Sequence, residues 1–268
     1  MTHVEPISAQ SMTDDPVSKD GATSLGAFFE QMKPDVHSEW AWDHYKPTIE
    51  ALSRSFGLTR LVEIGGGRDP LFTPAEAEQL GIELTINDIS AEELRHAPVE
   101  FKKACFNVAG DLSEEGVCKG EYDLAFSRMV FEHVEDGRRA WGNLAEILAP
   151  GGVAIAFVPT LYALPYLANM AIPEALSNRI VKLLYPHRTD DEDPKFPAHY
   201  SWTYGDEGKL RPMLETAGFR EALVVPFWYH EYFERIPVVR QIDNLVNRIA
   251  AERDWRFLTT YAYIAARK

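Results

Sequence analysis

Three acidic side chains and a run of glycines are spaced in this chain as a nucleotide-like ligand would require. Glu63, Gly65, Gly66 and Gly67 lie in the segment LVEIGGGRDP at 61–70, Asp88 ends IELTIND, and Asp111 ends AGD. A glycine turn at the end of a strand lets a ligand approach backbone N–H groups with no Cβ in the way, at the position where doubly wound sheets bind ligands. An acid closing the next strand, as Asp88 does, can accept two hydrogen bonds from a ribose diol. A phosphate loop of the GxxxxGK type is excluded, because Arg68, Asp69 and Pro70 follow the glycines. The dinucleotide pattern GxGxxG begins with Gly65 and Gly67 but has Pro70 where its third glycine or alanine belongs. On its own the glycine run is equally a tight turn; its acidic neighbours give it chemical meaning.

The elements that must position these residues follow from periodicity and caps. Residues 26–57 have helical spacing interrupted at Pro34 and Pro47, which predicts two or three short helices ending at Gly57. RLVEIG is the first strand. Thr73-Pro74-Ala75-Glu76 combines an N-cap, a proline at the first helical position and a capping box, with Gly81 as the stop. IELTIND is the second strand, and Ser90 to Glu93 starts a helix that Pro98 ends. ACFNVAG and YDLAFSR are the third and fourth strands. Ala140, Trp141, Leu144, Ala145 and Leu148 recur at helical spacing before APGG, which leads into the strand VAIAFVP. A helix near 207–217, the strand EALVVPFWY, a helical segment near 232–252 and the strand FLTTYAYIAA complete the chain. Alternating strands and helices call for an α/β fold, Rossmann-like and doubly wound, with a mostly parallel seven-stranded sheet.

Composition sets the outer bounds. The 27 basic and 41 acidic residues give a formal charge of -14, which opposes non-specific attraction to nucleic acid or to an anionic membrane. Residues 1–25 are polar, lack the basic and apolar regions of a signal peptide, and read as a mobile tail. Residues 26–57 read as N-terminal helices and 58–268 as the main domain. The uncharged stretch 147–173 is long enough for a membrane span, but Pro150-Gly151-Gly152 splits off a buried strand and Pro159, Pro165 and Asn169 interrupt the rest, so no transmembrane segment is expected. Cys105 and Cys118 form no CxxC pair, which favours a reducing, cytoplasmic compartment. No metal site is expected.

LVEIGGGRDP, INDIS, AGDL, YDLAFSRMVFEHV and LAPGGVAIAFVP occur in this order over residues 58–160. Together they resemble the class I S-adenosylmethionine-dependent methyltransferases, especially the type-11 subgroup. The resemblance implies S-adenosyl-L-methionine as cofactor and a transferase acting on a small molecule, glycan or lipid acceptor. It implies that Glu63, Gly65, Gly66 and Gly67 shape the pocket for the methionine and ribose moieties and that Asp88 holds the ribose hydroxyls. Ile89 would pack on adenine, Asp111 would receive the adenine amino group with Leu112 beside it, and Ser127 and Arg128 would line the floor under the sulfonium. The charge of Arg68 could meet the cofactor carboxylate.

The chemistry would then sit near His133, which follows the fourth strand in FEHVED and is the first choice for a general base toward a hydroxyl acceptor; a hydrogen-bonding role in the loop is the rival reading. The insertion at 160–205 is expected to be a helical lid with an apolar and aromatic lining, where peripheral membrane contact is conceivable. His199, Tyr200, Trp202 and Tyr204 in that insertion, with His44 before the first strand, are the substrate-side residues. O-methylation is slightly preferred because His and acidic groups are at hand. An NAD(P)-dependent oxidoreductase and a non-catalytic nucleoside-binding regulator of the same fold stand as alternatives.

Overall fold

The computed structural model describes residues 24–161, 197–231, 233 and 237–268. Residues 1–23 of the expected tail and 162–196 of the expected lid lie outside the described residues. So does the part of the uncharged stretch beyond residue 161.

The chain opens with two helices. α1 (Leu25–Met32) is capped by the Ser24 hydroxyl, which accepts from Ala27 N–H at 3.1 Å, and it ends at Lys33 in the left-handed region, one residue before Pro34. α2 runs unbroken from Ser38–Phe56 and stops at Gly57 (φ 64°). The expected break at Pro47 is therefore corrected. Pro47 lacks the N–H that would reach the carbonyl of Asp43, but both residues are exposed, which leaves that carbonyl open to solvent. On the opposite side Tyr45, Thr48, Ile49 and Leu52 are buried, and that packing holds the helix straight through.

β1 (Arg60–Ile64), β2 (Glu83–Asp88), β3 (Lys102–Cys105), β4 (Tyr122–Arg128) and β5 (Leu148–Pro159) are parallel neighbours; β6 (Glu221–Phe227) and β7 (Tyr261–Arg267) complete the sheet. The order is β3-β2-β1-β4-β5-β7-β6, with β7 antiparallel to both β5 and β6. The expected seven-stranded, mostly parallel sheet is present. β3 is shorter than ACFNVAG because Asn87 takes the carbonyls of Ala104 and Phe106 on its side-chain amide (2.9 and 3.0 Å), drawing the chain away from the ladder. β7 starts at Tyr261, since Arg256–Leu258 form a short 3-10 turn instead.

Between the strands lie α3 (Pro74–Leu80), α4 (Ala91–His96), α5 (Gly137–Ile147), α6 (Glu207–Ala217) and α7 (Pro237–Glu252). α3 has the full capping box between Thr73 and Glu76, and Ser90 caps α4. Side-chain alternation along the strands sorts the core into two layers. Leu61, Leu84, Ile86, Leu124, Phe126, Ile155 and Phe157 pack with α1 to α4. Val62, Ile64, Ala125, Ala154, Ala156 and Val158 pack with Trp141 and Leu144 of α5 and Leu210 and Leu214 of α6. Among the described residues no helix is long and apolar enough to cross a membrane.

Candidate functional site

The strand order reverses between β1 and β4, and in doubly wound sheets ligands bind outside the carboxyl ends of the strands at such a switch point. β1 delivers Ile64 straight into the glycine turn. Gly65 and Gly67 adopt φ 71° and 46°, conformations that side chains rarely tolerate, and a Cβ on Gly65 would lie 2.5 Å from Cγ2 of Val130. A Cβ on Gly67 would meet Oδ2 of Asp88 at 3.0 Å. Gly66 N–H donates to Asn87 O at 2.9 Å, tying the turn to the end of β2. The turn is thus closely packed: a side chain at Gly65 would clash with Val130, and one at Gly66 or Gly67 would crowd Glu63, Ile86 or Asp88.

Instead of running directly into a helix, the chain makes a second turn closed by Asp69 N–H to Gly66 O (3.1 Å), which brings Leu71 N–H onto Oε2 of Glu63 at 2.9 Å. Arg68 faces α4, where its Nε and Nη2 donate to the two carboxylate oxygens of Glu93 at 2.6 and 2.7 Å. The structure places the Arg68 charge in this exposed pair. α3 then starts with its own cap, and Lys46 of α2 anchors it through Glu76 at 2.5 Å.

Asp88 closes β2 half-buried, with Oδ1 accepting from Ser90 N–H at 2.8 Å. Burial raises its pKa, against the lowering effect of the Ser90 N–H. Ile89 follows with 69% of its surface exposed, an apolar side chain left open beside that acid. Asp111 is exposed and accepts from the N–H and hydroxyl of Ser113 (3.1 and 2.6 Å); those bonds lower its pKa. Leu112 is buried in the second core layer. The loop carrying Asp111 is fixed by Asn143 of α5, whose amide donates to the carbonyls of Val108 and Gly110 at 2.8 and 2.9 Å.

β4 ends at Ser127 and Arg128, followed by Met129 in the left-handed region (φ 56°). Ser127 is buried, and its Oγ has no hydrogen-bond partner. Its carbonyl accepts from the hydroxyl of Tyr45 at 2.5 Å. Glu63 stands on the neighbouring strand; burial pushes its carboxyl up to about 7, opposed by the Leu71 N–H and by Arg128. A buried polar atom without a partner, a glycine turn and an open apolar side chain next to an acid on β2 together fit an adenosyl group with a polar tail.

The expected catalytic and substrate-side residues lie around the 3-10 turn Phe131–His133. The carbonyl of Glu132 accepts both His199 N–H (2.7 Å) and Tyr200 N–H (3.0 Å), and Nδ1 of His133 lies 2.9 Å from Pro197 O. The structure therefore holds the backbone of two of the expected substrate-side residues against the turn that carries the expected base. Trp202 and Tyr204 instead pack against the second core layer, Trp202 with the Arg138 guanidinium 4.5 Å from its ring. His44 stacks on Trp40 of its own helix at 4.4 Å, with Nδ1 3.0 Å from the Trp40 carbonyl.

Sequence reasoning missed Asn87, Asn143 and Glu132. Glu132 is buried, its carboxyl pushed up to about 7 by burial, and its Oε2 has no partner. The signals were present for Asn87 and Asn143, amides placed among apolar residues next to loops that must be held. Among the described residues there is no group of three or more His, Cys, Asp or Glu that could hold a metal.

This sheet order, with its glycine turn at the β1/β4 switch point, defines a class I methyltransferase architecture. The chain belongs to the methyltransferase-domain family, which matches it over residues 28–221. Rv1509, an uncharacterized protein of Mycobacterium tuberculosis strain H37Rv, is 28% identical over 145 residues, covering 50% of this chain and 48% of that protein. The chain thus spans about half the length of this curated relative. Among solved structures, the DszA carbon methyltransferase has a TM-score of 0.51 at 13% identity and covers 91% of this chain and 58% of its own. A SAM-dependent methyltransferase from Archaeoglobus fulgidus has a TM-score of 0.49 at 16% identity, covering 86% of this chain and 99% of its own. The likeness to DszA concerns the fold alone.

Proposed function

We propose that this chain transfers a methyl group from S-adenosyl-L-methionine to a small-molecule, glycan or lipid-linked acceptor, with an oxygen as the favoured target. The observation that carries the reading is the switch point between β1 and β4, where the glycine turn, Asp88 at the end of β2 and the unpartnered Ser127 hydroxyl lie on one sheet edge. In this reading Asp88 holds the ribose hydroxyls, Ile89 covers one adenine face, and Asp111 with Leu112 bounds the other end of the base. Gly65, Gly66 and Gly67 offer their backbone to the polar tail, with Glu63, Ser127 and Arg128 below it. Arg68 orders the turn through Glu93.

The cofactor supplies an electrophilic methyl on a sulfonium, and displacement in line needs mainly a correctly aimed acceptor. His133 takes the acceptor hydroxyl proton on the ring nitrogen that does not face Pro197. His199 and Tyr200, hung from the Glu132 carbonyl, flank the acceptor, while the strained Met129 fixes the direction in which the 131–133 turn leaves β4. Two exposed free cysteines agree with a reducing, cytoplasmic setting.

Calorimetry with S-adenosylhomocysteine and with NAD tests the cofactor. Binding of the first without the second is expected, and Asp88→Ala should weaken it at least about tenfold through lost ribose hydrogen bonds. Unchanged affinity in that variant would remove the ribose assignment. Comparing metabolites and lipids from cells with and without the gene for a difference of one methyl group then separates enzyme from sensor.

A further inference from the structure

Glu132 is an acid buried at a position the fold could fill with an apolar side chain. The 3-10 turn Phe131–His133 sends successive side chains out about 120° apart. Phe131 enters the second core layer, its ring centroid 5.1 Å from that of Trp141; Glu132 is 5% exposed, and the His133 side chain is 36% exposed at the rim. The tie from this turn to His199 and Tyr200 runs through the Glu132 backbone carbonyl, so it does not call for a carboxyl. Ionising so buried a group is costly, which raises its pKa to about 7, and Oε2 has no hydrogen-bond partner. A buried acid with an open oxygen, in the loop where the chemistry would sit, points to a role in that chemistry.

The neighbouring ring defines the role. Nδ1 of His133 donates to Pro197 O at 2.9 Å, because a carbonyl can only accept. The neutral ring therefore carries its lone pair on Nε2, and Nε2 lies 3.8 Å from Oε1 of Glu132. Other charges around the turn are matched elsewhere. Nε2 of His199 lies 4.0 Å from Oε1 of Glu135, Asp136 accepts Arg139 N–H at the start of α5, the Arg138 guanidinium lies over Trp202, and Arg128 acts on Glu63. Burial and its own backbone N–H are what move the Glu132 carboxyl, with no charge contributing. A positive charge that forms on His133 is therefore the one placed to answer it.

We propose that Glu132 is the positioning residue of a proton-accepting pair with His133. The inference rests on the methyl-transfer reading. As the acceptor oxygen forms its bond to the methyl carbon and the cofactor's S–C bond breaks, the hydroxyl proton passes to Nε2 of His133. The ring becomes an imidazolium, and the Glu132 carboxylate beside it balances the charge. At neutral pH the carboxyl is poised between its two states, so a charged ring draws it to the ionised one. The proton then leaves to water from the exposed ring, and the pair is restored. Glu132 acts through the ring, while Pro197 O keeps Nε2 as the basic nitrogen.

The test is NMR of the full chain with isotope-labelled histidine and glutamate, titrated from about pH 5 to 9. The signals of the His133 ring and of the Glu132 carboxyl should move in two shared steps, separated at least about tenfold in proton concentration. In Glu132→Gln the ring should move in a single step, and in His133→Gln the carboxyl should. Both variants keep the backbone carbonyl that holds His199 and Tyr200. Should Glu132→Gln fail to fold, His133→Gln makes the same comparison from the carboxyl side, because its substitution lies at the rim. Single independent steps in the unaltered chain, midpoints that removal of the other group leaves unmoved, or a neutral ring protonated on Nε2 would each overturn the proposal. Calorimetry of the unaltered chain with S-adenosylhomocysteine tests the methyl-transfer reading by itself. Coupled titration without cofactor binding removes that reading, and cofactor binding without coupling removes the pair.

Discussion

Tyr45 is the residue through which the N-terminal helices reach the site. Its ring is buried among Phe157 and Tyr263, and its hydroxyl donates to Ser127 O near the end of β4 at 2.5 Å and to Ile155 O on the adjacent β5 at 3.3 Å. Burial raises its pKa well above the ordinary phenol value, so the hydroxyl keeps its proton and remains a donor. Tyr45→Phe preserves the packing and removes only the donor. It should cost about 1–2 kcal/mol of stability and loosen S-adenosylhomocysteine binding by less than Asp88→Ala does, since the ribose acid is untouched. Denaturant melts and calorimetry on the same preparation measure both. An effect on affinity as large as that of Asp88→Ala would mean that Tyr45 touches the ligand itself.

At the scale of elements, α2 shows how tertiary packing overrides a local stop signal. A proline in a helix interior forfeits a hydrogen bond, and the sequence reading broke the helix there; the buried row Ala41, Tyr45, Thr48, Ile49 and Leu52 outweighs that loss. Pro47→Ala restores the N–H to the Asp43 carbonyl at an exposed position. It is expected to raise stability by about 1 kcal/mol, the helix gain being offset in part by a more flexible unfolded chain. A lowered melting temperature would show that Pro47 contributes something that the exposed helix face does not reveal. The same contrast explains what the sequence made legible. Caps such as Thr73 with Glu76, strand alternation and the glycine turn are local signals, and all reappear in the structure. The meeting of Glu132, His199 and Tyr200 was not legible, because it joins residues more than sixty positions apart through a backbone carbonyl that any residue type could supply. The buried face of α7, with Asp243, Asn247 and Ala250, was hidden for a related reason: its periodicity marks an apolar stripe but not which way the stripe faces.

For the whole molecule, the two buried carboxyls predict an unusual dependence of stability on pH. Glu63 and Glu132 both have pKa values pushed by burial from 4.5 up to about 7. A carboxyl raised in the folded state binds its proton more tightly there than in the unfolded chain. Its contribution is therefore fully present below pH 4.5 and is lost as pH rises to about 7, at a cost on the order of 3 kcal/mol for each group. Asp123, whose pKa is lowered chiefly by its bond to Arg60, works in the opposite sense and withdraws stability only as acid protonates it. The melting temperature should accordingly be highest near pH 5 and fall toward pH 8, against the common pattern for an acidic protein. Glu63→Gln with Glu132→Gln retains both side-chain volumes while removing the charges that form on deprotonation. That variant is expected to melt higher than the unaltered chain at pH 8 and to show little slope between pH 5 and 8. Parallel melting profiles for the two proteins would mean that both carboxylates are ionised and stabilised in the fold, and the site would then carry two more negative charges at neutral pH than burial allows.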